Sequence, residues 1–293
     1  MSAASAPRAP QAPQDQQAPS APNLRRRLVA LDIDGTIVDH DDKLSERVRR
    51  AVRAAAEVAH VVIATGRSTD GTLEVLDRLE LLTGTAVVSN GAVTLGLDPA
   101  LPNGFEVTES VSFDPGPALA VVREHLPTAL YGVETEQLTK VLTQAFPEGE
   151  LSGPYRVASF EELSRTRALR VIVRSLDHSP AEFEEIVGRM GLNSVAYAVG
   201  WSAWLDIAPE GVSKASALEA VRRRLGVEPE DTYAVGDGRN DIEMLRWAAH
   251  SAAMGNALDD EVTQAAGESL PDVVDDGLAV FLERVLDLGD AAA

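Results

Sequence analysis

The chain has 293 residues, enough for one large domain or for two domains that each bury a core. Its 46 acidic residues outnumber its 26 lysines and arginines, and the resulting charge of −20 disfavours nucleic acid and anionic membrane surfaces as partners, since both carry the same sign. The absence of cysteine excludes a disulfide framework, a thiolate metal site and a cysteine nucleophile. The composition is typical of a soluble globular protein.

The N-terminal segment, residues 1–23, is rich in proline, alanine and glutamine, and apart from proline no apolar side chain larger than alanine follows Met1. Such a segment cannot bury enough surface to offset its backbone entropy, which predicts a disordered tail. The apolar run that follows ends at Asp32 after four residues, too short for a signal peptide. Because no later stretch approaches the roughly 18 apolar residues of a membrane span, we expect a cytoplasmic protein.

Strands and helices alternate in two parts of the chain. Sequence patterns predict strands at 28–33, 61–63, 87–88, 232–235 and 251–254, and helices at 47–58, 73–82, 214–225, 241–249 and 277–286. This alternation is typical of a parallel sheet with helices on both faces. The predicted fold class is therefore α/β, with a doubly wound, Rossmann-like core.

The segment between these two parts has a less regular order of strands and helices, separated by turn signals such as Asp114-Pro115-Gly116. We interpret it as a second, smaller α/β domain, residues 95–205, inserted into the first. The core would then consist of residues 24–94 and 206–290. The chain would leave the parallel-sheet domain once and return once.

Polar residues follow several of the predicted strands or begin the next helix. Asp32 and Asp34 end the first strand, where parallel sheets bind ligands, and two carboxylates there can transfer protons, bind a hard cation, or do both. Thr65 and Gly66 begin a helix, which suits a phosphate group. Lys214 begins another helix, and Asp237 and Asp241 both follow a later strand, four residues apart. Each segment alone also has a purely structural explanation.

Four segments, taken in order, resemble the four motifs of the haloacid dehalogenase superfamily of phosphohydrolases: Asp32-Ile33-Asp34-Gly35-Thr36, Ala64-Thr65-Gly66-Arg67, Lys214, and Gly236-Asp237-Gly238-Arg239-Asn240-Asp241. Three further segments resemble its Cof-type branch, in which an α/β cap lies between the second and third motifs: Ser89-Asn90-Gly91-Ala92, the stretch from Ile207 to Lys214, and Met254-Gly255-Asn256-Ala257. The resemblance covers about residues 28–285.

This resemblance implies a Mg²⁺-dependent phosphatase that hydrolyses a small phosphorylated metabolite, such as a sugar phosphate, through an aspartyl-phosphate intermediate. Asp32 would be the nucleophile, and Asp34 the group that protonates the leaving oxygen and then deprotonates water. Thr65, Gly66, Lys214 and Asn240 would contact the phosphoryl group. Asp32, Asp237 and the main-chain carbonyl of Asp34 would hold the metal ion, and Asp241 would support these ligands or orient Lys214.

Alternatives to this function remain open on the sequence alone. A phosphomutase uses the same phosphoaspartate but returns the phosphoryl group to its substrate. A non-catalytic signalling or phosphate-binding module could use the same scaffold, although the second aspartate, Asp34, supplies the acid that a turnover enzyme requires. In the inserted segment, Trp201 and Trp204 are interpreted as packing residues rather than as the wall of a pocket.

Overall fold

The computed structural model describes residues 27–192, 195–199 and 203–289. The tail that the sequence predicts, residues 1–23, and Trp201 lie outside these ranges. Within the described ranges, every helix is too short or too polar to cross a membrane.

Fourteen strands and nine α-helices are described. The strands are β1 (Leu28–Leu31), β2 (His60–Ala64), β3 (Gly84–Val88), β4 (Val93–Leu97), β5 (Phe105–Ser110), β6 (Leu130–Thr135), β7 (Lys140–Leu142), β8 (Tyr155–Val157), β9 (Ala168–Arg174), β10 (Val195–Val199), β11 (Trp204–Pro209), β12 (Thr232–Gly236), β13 (His250–Ala253) and β14 (Glu268–Ser269). The helices are α1 (Glu46–Val58), α2 (Thr69–Leu79), α3 (Gly116–His125), α4 (Phe160–Leu163), α5 (Pro180–Arg189), α6 (Lys214–Leu225), α7 (Ile242–Trp247), α8 (Asp260–Ala265) and α9 (Gly277–Leu286).

The larger sheet has eight strands in the order β14-β13-β12-β1-β2-β3-β4-β5. The pairings from β14 to β3 are parallel, and those of β3 with β4 and of β4 with β5 are antiparallel. Parallel neighbours need crossover connections, and helices provide them. The carboxyl ends of β1, β2 and β12 therefore meet at one edge of the sheet.

Helices cover both faces of this sheet because its strands are apolar on both sides. Val29 and Leu31 of β1 pack in a cluster with α1, α2 and α9. Leu28 and Ala30, which point the opposite way, pack with α6, α7 and α8. This arrangement confirms the predicted fold class, a doubly wound α/β core.

The boundaries of helix α2 differ from the prediction of 73–82. The helix begins at Thr69, directly after the Gly66-Arg67 loop, and Glu80 ends it in a left-handed conformation with φ of 58°. The apolar spacing that predicts this helix begins only at Leu73, so the polar first turn gives no periodic signal from which its start could be predicted. By contrast, α1 begins at Glu46, one residue before the predicted start, and Ser45 caps it by accepting a hydrogen bond from the main-chain N–H of Val48 at 3.1 Å.

The smaller sheet has six strands in the order β10-β11-β9-β6-β7-β8. Its pairings are antiparallel except for the parallel pair β7 and β8. Helices α3, α4 and α5 pack on one face, against alternate residues such as Val133, Val171 and Leu205. The residues between them, including Glu134, Arg170 and Asp206, therefore belong to the other face.

The two sheets divide the chain at positions that differ from the predicted boundaries of the inserted domain. Strands β4 and β5 extend the larger sheet up to Ser110, and β11 belongs to the smaller sheet up to Pro209. The antiparallel hairpin β4–β5 has no crossover helix, so its residues do not show the alternation that marks the core. We propose that the inserted domain comprises approximately residues 111–210.

Candidate active site

A buried lysine lies between two buried aspartates at the carboxyl edge of the larger sheet. Lys214 Nζ donates to Asp32 Oδ1 and to Asp241 Oδ1, both at 2.6 Å. Lys214 and Asp241 are fully buried, and the Asp32 side chain is 5% exposed. Such a buried arrangement forms only when each charge has a partner, because removing ions from water is costly.

Local sequence explains why these side chains converge. Asp32 follows β1, and its main-chain N–H donates to Val235 O of β12. Lys214 is the first residue of α6, which Ser213 caps through a hydrogen bond from the main-chain N–H of Ser216. Helix α6 begins beside this edge, so its first side chain reaches Asp32.

Asp237 joins this cluster from the end of β12. One ligand atom from each of Asp32, Asp237 and Asp241 lies within 4.8 Å of the others. Asp241 Oδ2 accepts hydrogen bonds from the main-chain N–H groups of Asp237 and Gly238, at 3.1 and 3.0 Å. Asp241 therefore fixes the loop that carries Asp237 while its second oxygen holds Lys214.

Burial and mutual repulsion shift the pKa values of this cluster. Burial raises the pKa of Asp32 to about 7, reinforced by Asp241 and Asp34 and opposed by Lys214. Burial also raises the pKa of Asp237 to about 9, together with the charges of Asp32 and Asp241. Burial lowers the pKa of Lys214, but Asp241 and Asp32 outweigh it and the net shift is upward. One lysine does not balance the negative charge of these aspartates.

The residues present fit a hard divalent cation such as Mg²⁺. All of the clustered side-chain donors are carboxylate oxygens, the ligand type that this ion prefers. A bound cation would also supply the positive charge that the cluster lacks. The absence of a side chain at Gly35 lets the backbone lie close to Asp237, since a Cβ atom there would lie 2.0 Å from Asp237 Oδ2.

Asp34 lies near this cluster but in a different environment. Its side chain is 52% exposed and forms a two-point ion pair with Arg67, whose Nη2 lies 2.7 Å from Asp34 Oδ1. Arg67 Nη2 also donates to Asp42 at 2.8 Å, and Arg78 holds the other oxygen of Asp42 at 2.7 Å. The carboxylate of Asp34 is thus held at the solvent side of the site.

Three of the four residues predicted to contact a phosphoryl group, Thr65, Gly66 and Asn240, lie on two neighbouring loops, and the fourth, Lys214, begins α6. Thr65 is fully buried at the end of β2, and its Oγ1 accepts the main-chain N–H of Arg67 at 3.1 Å. A Cβ atom on Gly66 would lie 3.2 Å from Asn90 Oδ1 and 3.5 Å from Asn240 Nδ2. Asn240 Nδ2 donates to Asn90 Oδ1 at 3.0 Å, so Gly66 and Asn240 share one surface.

A cavity of about 590 Å³ connects these loops to the smaller sheet. Asp32, Asp34, Gly66, Asp237 and Asn240 line it on the core side. Arg170, Trp204, Asp206 and Glu150 line it from the inserted segment. Trp204 packs edge-on against Phe146, with ring centroids 5.8 Å apart, which agrees with its interpretation as a packing residue. That interpretation was incomplete, because Trp204 also lines the cavity.

The sequence reasoning missed the inserted segment's polar residues. Arg170 interrupts the apolar run of β9, and a lone charge in such a run was the available signal. Lys140 is fully buried and pairs with Asp70 of α2 at 2.9 Å, which ties the smaller sheet to the core. Asn256 was also given no role, yet its Nδ2 donates to Gly35 O at 2.9 Å and to Asp237 Oδ2 at 3.2 Å.

Comparisons with known proteins agree with this geometry. A family model described as haloacid dehalogenase-like hydrolase matches residues 29–103 and 140–282. The putative phosphatase YxeH of Bacillus subtilis is 28% identical over 261 residues, 82% of this chain and 91% of that protein. The phosphoglycolate phosphatase of Natronomonas pharaonis is 28% identical over 260 residues, 88% of this chain and 97% of that protein.

The fold has counterparts among solved structures. One of them, described as the HAD subclass IIB sugar phosphatase BT4131, matches with a TM-score of 0.73 at 22% identity. The match covers 89% of this chain and 99% of that one. At 22% identity, this similarity shows a shared fold and no more than that.

Proposed function

The chain belongs to the haloacid dehalogenase-like hydrolase family, and we propose that this phosphatase hydrolyses a small phosphorylated metabolite, a sugar phosphate, through an aspartyl phosphate. The observation that carries the proposal is the pairing of Asp32 with Lys214 at 2.6 Å, with Asp34 two residues further on. A carboxylate nucleophile, a fixed cation and a second carboxylate are the groups that a two-step phosphoryl transfer needs.

Asp32 is the proposed nucleophile. One of its carboxylate oxygens forms a bond to phosphorus while the bond from phosphorus to the ester oxygen breaks. Lys214 donates to the carboxylate and is itself held by Asp241, so the carboxylate has a fixed orientation and little motion is needed before attack. Lys214 also offsets the negative charge that gathers around the phosphoryl group during transfer.

Asp34 is the proposed proton donor and acceptor. It gives a proton to the leaving ester oxygen, which departs as an alcohol. In the second step, its carboxylate takes a proton from water as the water oxygen attacks phosphorus and the bond to Asp32 breaks. Its exposed position at the cavity wall supports this role, since the same group must meet the alcohol and then the water.

The phosphoryl oxygens would be held by the loops at the cavity floor. In this proposal Gly66 and Asn240, which line the cavity, supply a main-chain N–H and an amide. Thr65 and Lys214, which are buried beside them, supply a hydroxyl and a charge. Donors fixed in place before the reaction stabilise developing charge without the cost of reorganising solvent. Asn90 orients the amide of Asn240 through their 3.0 Å hydrogen bond.

Mg²⁺ would be held by the carboxylates of Asp32 and Asp237 and by the main-chain carbonyl of Asp34, with Asp241 supporting this set. When bound, the ion neutralises phosphoryl oxygen charge and lowers repulsion between the ester and the aspartates. Asn256 positions Asp237 for this role by donating to its Oδ2 at 3.2 Å.

The test is phosphate release from a panel of phosphorylated sugars, nucleotides and cofactors, with and without Mg²⁺. We expect Mg²⁺-dependent release of phosphate. We also expect the rate of release to fall by at least about 10³-fold in Asp32→Asn, because catalytic residues act as a unit and the loss of the nucleophile removes most of the catalysis. Asp260→Asn, on the exposed side of α8, is the matched control and should retain activity.

Two readouts separate this function from its alternatives. When a reaction with substrate radiolabelled in its phosphoryl group is quenched in acid, label should remain on the parent protein but not on Asp32→Asn. A phosphomutase would produce an isomeric ester rather than inorganic phosphate. Equal activity in Asp32→Asn and the parent, or activity unaffected by a chelator, would refute the mechanism.

A further inference from the structure

A short turn of the core, residues 89–91, is bonded to the loop that follows β2. The main-chain N–H of Asn90 donates to Thr65 O at 3.0 Å. The main-chain N–H of Ser89 donates to Arg67 O at 2.9 Å. The turn therefore holds the loop of the proposed phosphoryl contacts at both ends.

The same turn reaches the other two segments that carry proposed phosphoryl contacts. The side chain of Asn90 accepts from Asn240 Nδ2 at 3.0 Å. A Cβ atom on Gly91 would lie 2.2 Å from Ser213 O, so the turn lies directly against the residue before Lys214. The place of this turn consequently sets how the three segments lie relative to one another.

The backbone of the turn is in a conformation that side chains disfavour. Ser89 and Asn90 are consecutive residues other than glycine, with φ of 51° and 54°. A Cβ atom makes this left-handed conformation costly, and such a backbone persists only where the surrounding structure holds it. The turn therefore depends on anchors outside itself.

One of these anchors comes from the inserted segment. Ser89 Oγ donates to Glu134 Oε2 of β6 at 2.7 Å, and both residues are fully buried. A hydrogen bond to a carboxylate is about twice as strong as one between neutral groups. A side chain of the smaller sheet thus holds the turn on which the phosphoryl loops rest.

Arg170 holds Glu134 in place and contacts the second loop directly. Strand register pairs the two residues across β6 and β9, and Arg170 Nε lies 3.4 Å from Glu134 Oε2. Arg170 Nη1 donates to Gly66 O and lies 3.3 Å from Asp206 Oδ1. The buried carboxylate of Glu134 therefore has the opposite charge that burial requires.

We propose that Glu134 is a positioning residue of the phosphoryl site, which acts through Ser89 to fix the turn and, with it, the donors for the phosphoryl oxygens. This inference rests on the proposed phosphatase function and gives the inserted segment a part in the phosphoryl step itself. Glu134 does not line the cavity, so it acts through the turn and not by touching the ester. Displacement of a catalytic group by about 1 Å can cost about 100-fold in rate.

Ser89→Ala tests the inference, because it removes the hydroxyl but keeps the Cβ atom and so leaves the backbone strain unchanged. The full-length protein with Mg²⁺ is assayed for hydrolysis of p-nitrophenyl phosphate and for its inhibition by orthovanadate. Orthovanadate adopts the five-coordinate geometry of phosphoryl transfer and has no leaving group. We expect kcat/KM to fall by at least about tenfold and the inhibition constant of orthovanadate to rise by a similar factor, because displaced donors stabilise the transferring group less.

Ser175→Ala is the matched control. Ser175 is also buried, and its Oγ lies 2.7 Å from His178 Nδ1 in the inserted segment. This variant removes a buried hydroxyl that has no contact with the turn, so both constants should stay within about twofold of the parent.

Two variants of Glu134 separate the hydrogen bond from the rest of the side chain. Glu134→Gln keeps an oxygen that can accept from Ser89 and should stay within about threefold of the parent. Glu134→Leu has a similar size but no acceptor, and it should lose at least as much as Ser89→Ala. The double variant Ser89→Ala/Glu134→Leu should lose no more than Glu134→Leu alone, because both changes remove the same hydrogen bond.

Several results would overturn the inference. Ser89→Ala within about twofold of the parent in both constants would do so, as would losses of equal size in Ser175→Ala. A fall in kcat/KM with unchanged inhibition by orthovanadate would place the defect at the leaving group instead. Losses in Glu134→Gln as large as those in Glu134→Leu would show that the hydrogen bond to Ser89 is not what matters.

The inference can fail without the function beneath it. Circular dichroism shows whether each variant is folded, and if Glu134→Leu is not, Ser89→Ala decides. An active parent together with an equally active Ser89→Ala overturns the role of Glu134 and leaves the phosphatase function standing. If the parent releases no phosphate from p-nitrophenyl phosphate or from any ester of the panel, the proposed function fails and the inference fails with it.

Discussion

Replacement of Gly35 by alanine gives a sharp test of how closely the backbone approaches Asp237. Gly35 has φ of +73°, and alanine in this left-handed conformation costs about 1–2 kcal/mol. The added Cβ would also lie 2.0 Å from Asp237 Oδ2 and 2.6 Å from Asp237 Cγ. Since ordinary contacts between such atoms are about 3.5 Å, the carboxylate must move by about 1.5 Å.

Gly104 provides a matched control for the backbone part of this effect. Its φ is +75°, and among the described residues no atom lies within 4 Å of the position that a Cβ would take. Gly104→Ala should therefore lower the free energy of unfolding by about 1–2 kcal/mol and leave activity within about twofold of the parent. Gly104 lies in the loop that joins β4 to β5, at the end of these strands away from the carboxyl edge of the parallel strands.

Activity should distinguish the two variants much more than stability does. A displacement of about 1 Å in a catalytic group can cost about 100-fold, so we expect Gly35→Ala to lose at least about that factor in kcat/KM. Urea unfolding followed by circular dichroism gives the stability, and phosphate release gives the activity. If Gly35→Ala were as active as Gly104→Ala, the close approach of Gly35 to Asp237 would not control the position of a catalytically important carboxylate, and the prediction would be refuted.

Three further variants test other parts of the molecule. Asp70→Asn leaves the buried ammonium of Lys140 without its carboxylate and should lower the free energy of unfolding by about 2 kcal/mol, less than for a fully buried pair because the Asp70 side chain is 35% exposed; a urea midpoint no lower than that of Lys140→Met would contradict this. Ser179→Ala removes the capping box of α5 and should cost about 1 kcal/mol, seen as a lower Tm, whereas an unchanged Tm would show that the cap is dispensable. Hydrogen bonds, chiefly from Arg222, lower the pKa of Glu219 from 4.5 to about 2. The stability that this carboxylate adds is therefore complete above pH 4.5 and disappears as pH falls toward about 2, so the stability difference between the parent and Glu219→Gln should shrink over that interval; a difference independent of pH would argue against the shift.

The core of the fold could be predicted because its signals are local. Buried strands such as β1 are short apolar runs, and α6 begins and ends where its serine cap and its glycine, Gly226, indicate. The alternation of these elements leaves few topologies other than a doubly wound sheet. The hairpin of β4 and β5 escaped prediction because antiparallel strands need no crossover helix, so this part of the core lacks the alternation of strands and helices.

The candidate site divides in the same way. Asp32, Thr65, Lys214 and Asp237 lie in short segments directly after strands or at helix starts, where chain order alone indicates a shared edge. Arg170 and Glu134 lie within strands of the inserted segment, far from any such motif. Their importance depends on which face of the smaller sheet meets the core, and that face is fixed by packing between distant segments.

The sequence by itself determined the fold class and the chemical groups at the carboxyl edge of the core sheet, because the residues that end a strand and begin a helix are neighbours in the chain. Only the tertiary structure decided the charge state of the cavity wall. A net charge of −20 describes the chain as a whole, but pairing within a few ångströms decides what each charge can bind. Arg170 is one cation among 26 lysines and arginines in the sequence, and in the fold it is a cation held between two carboxylates.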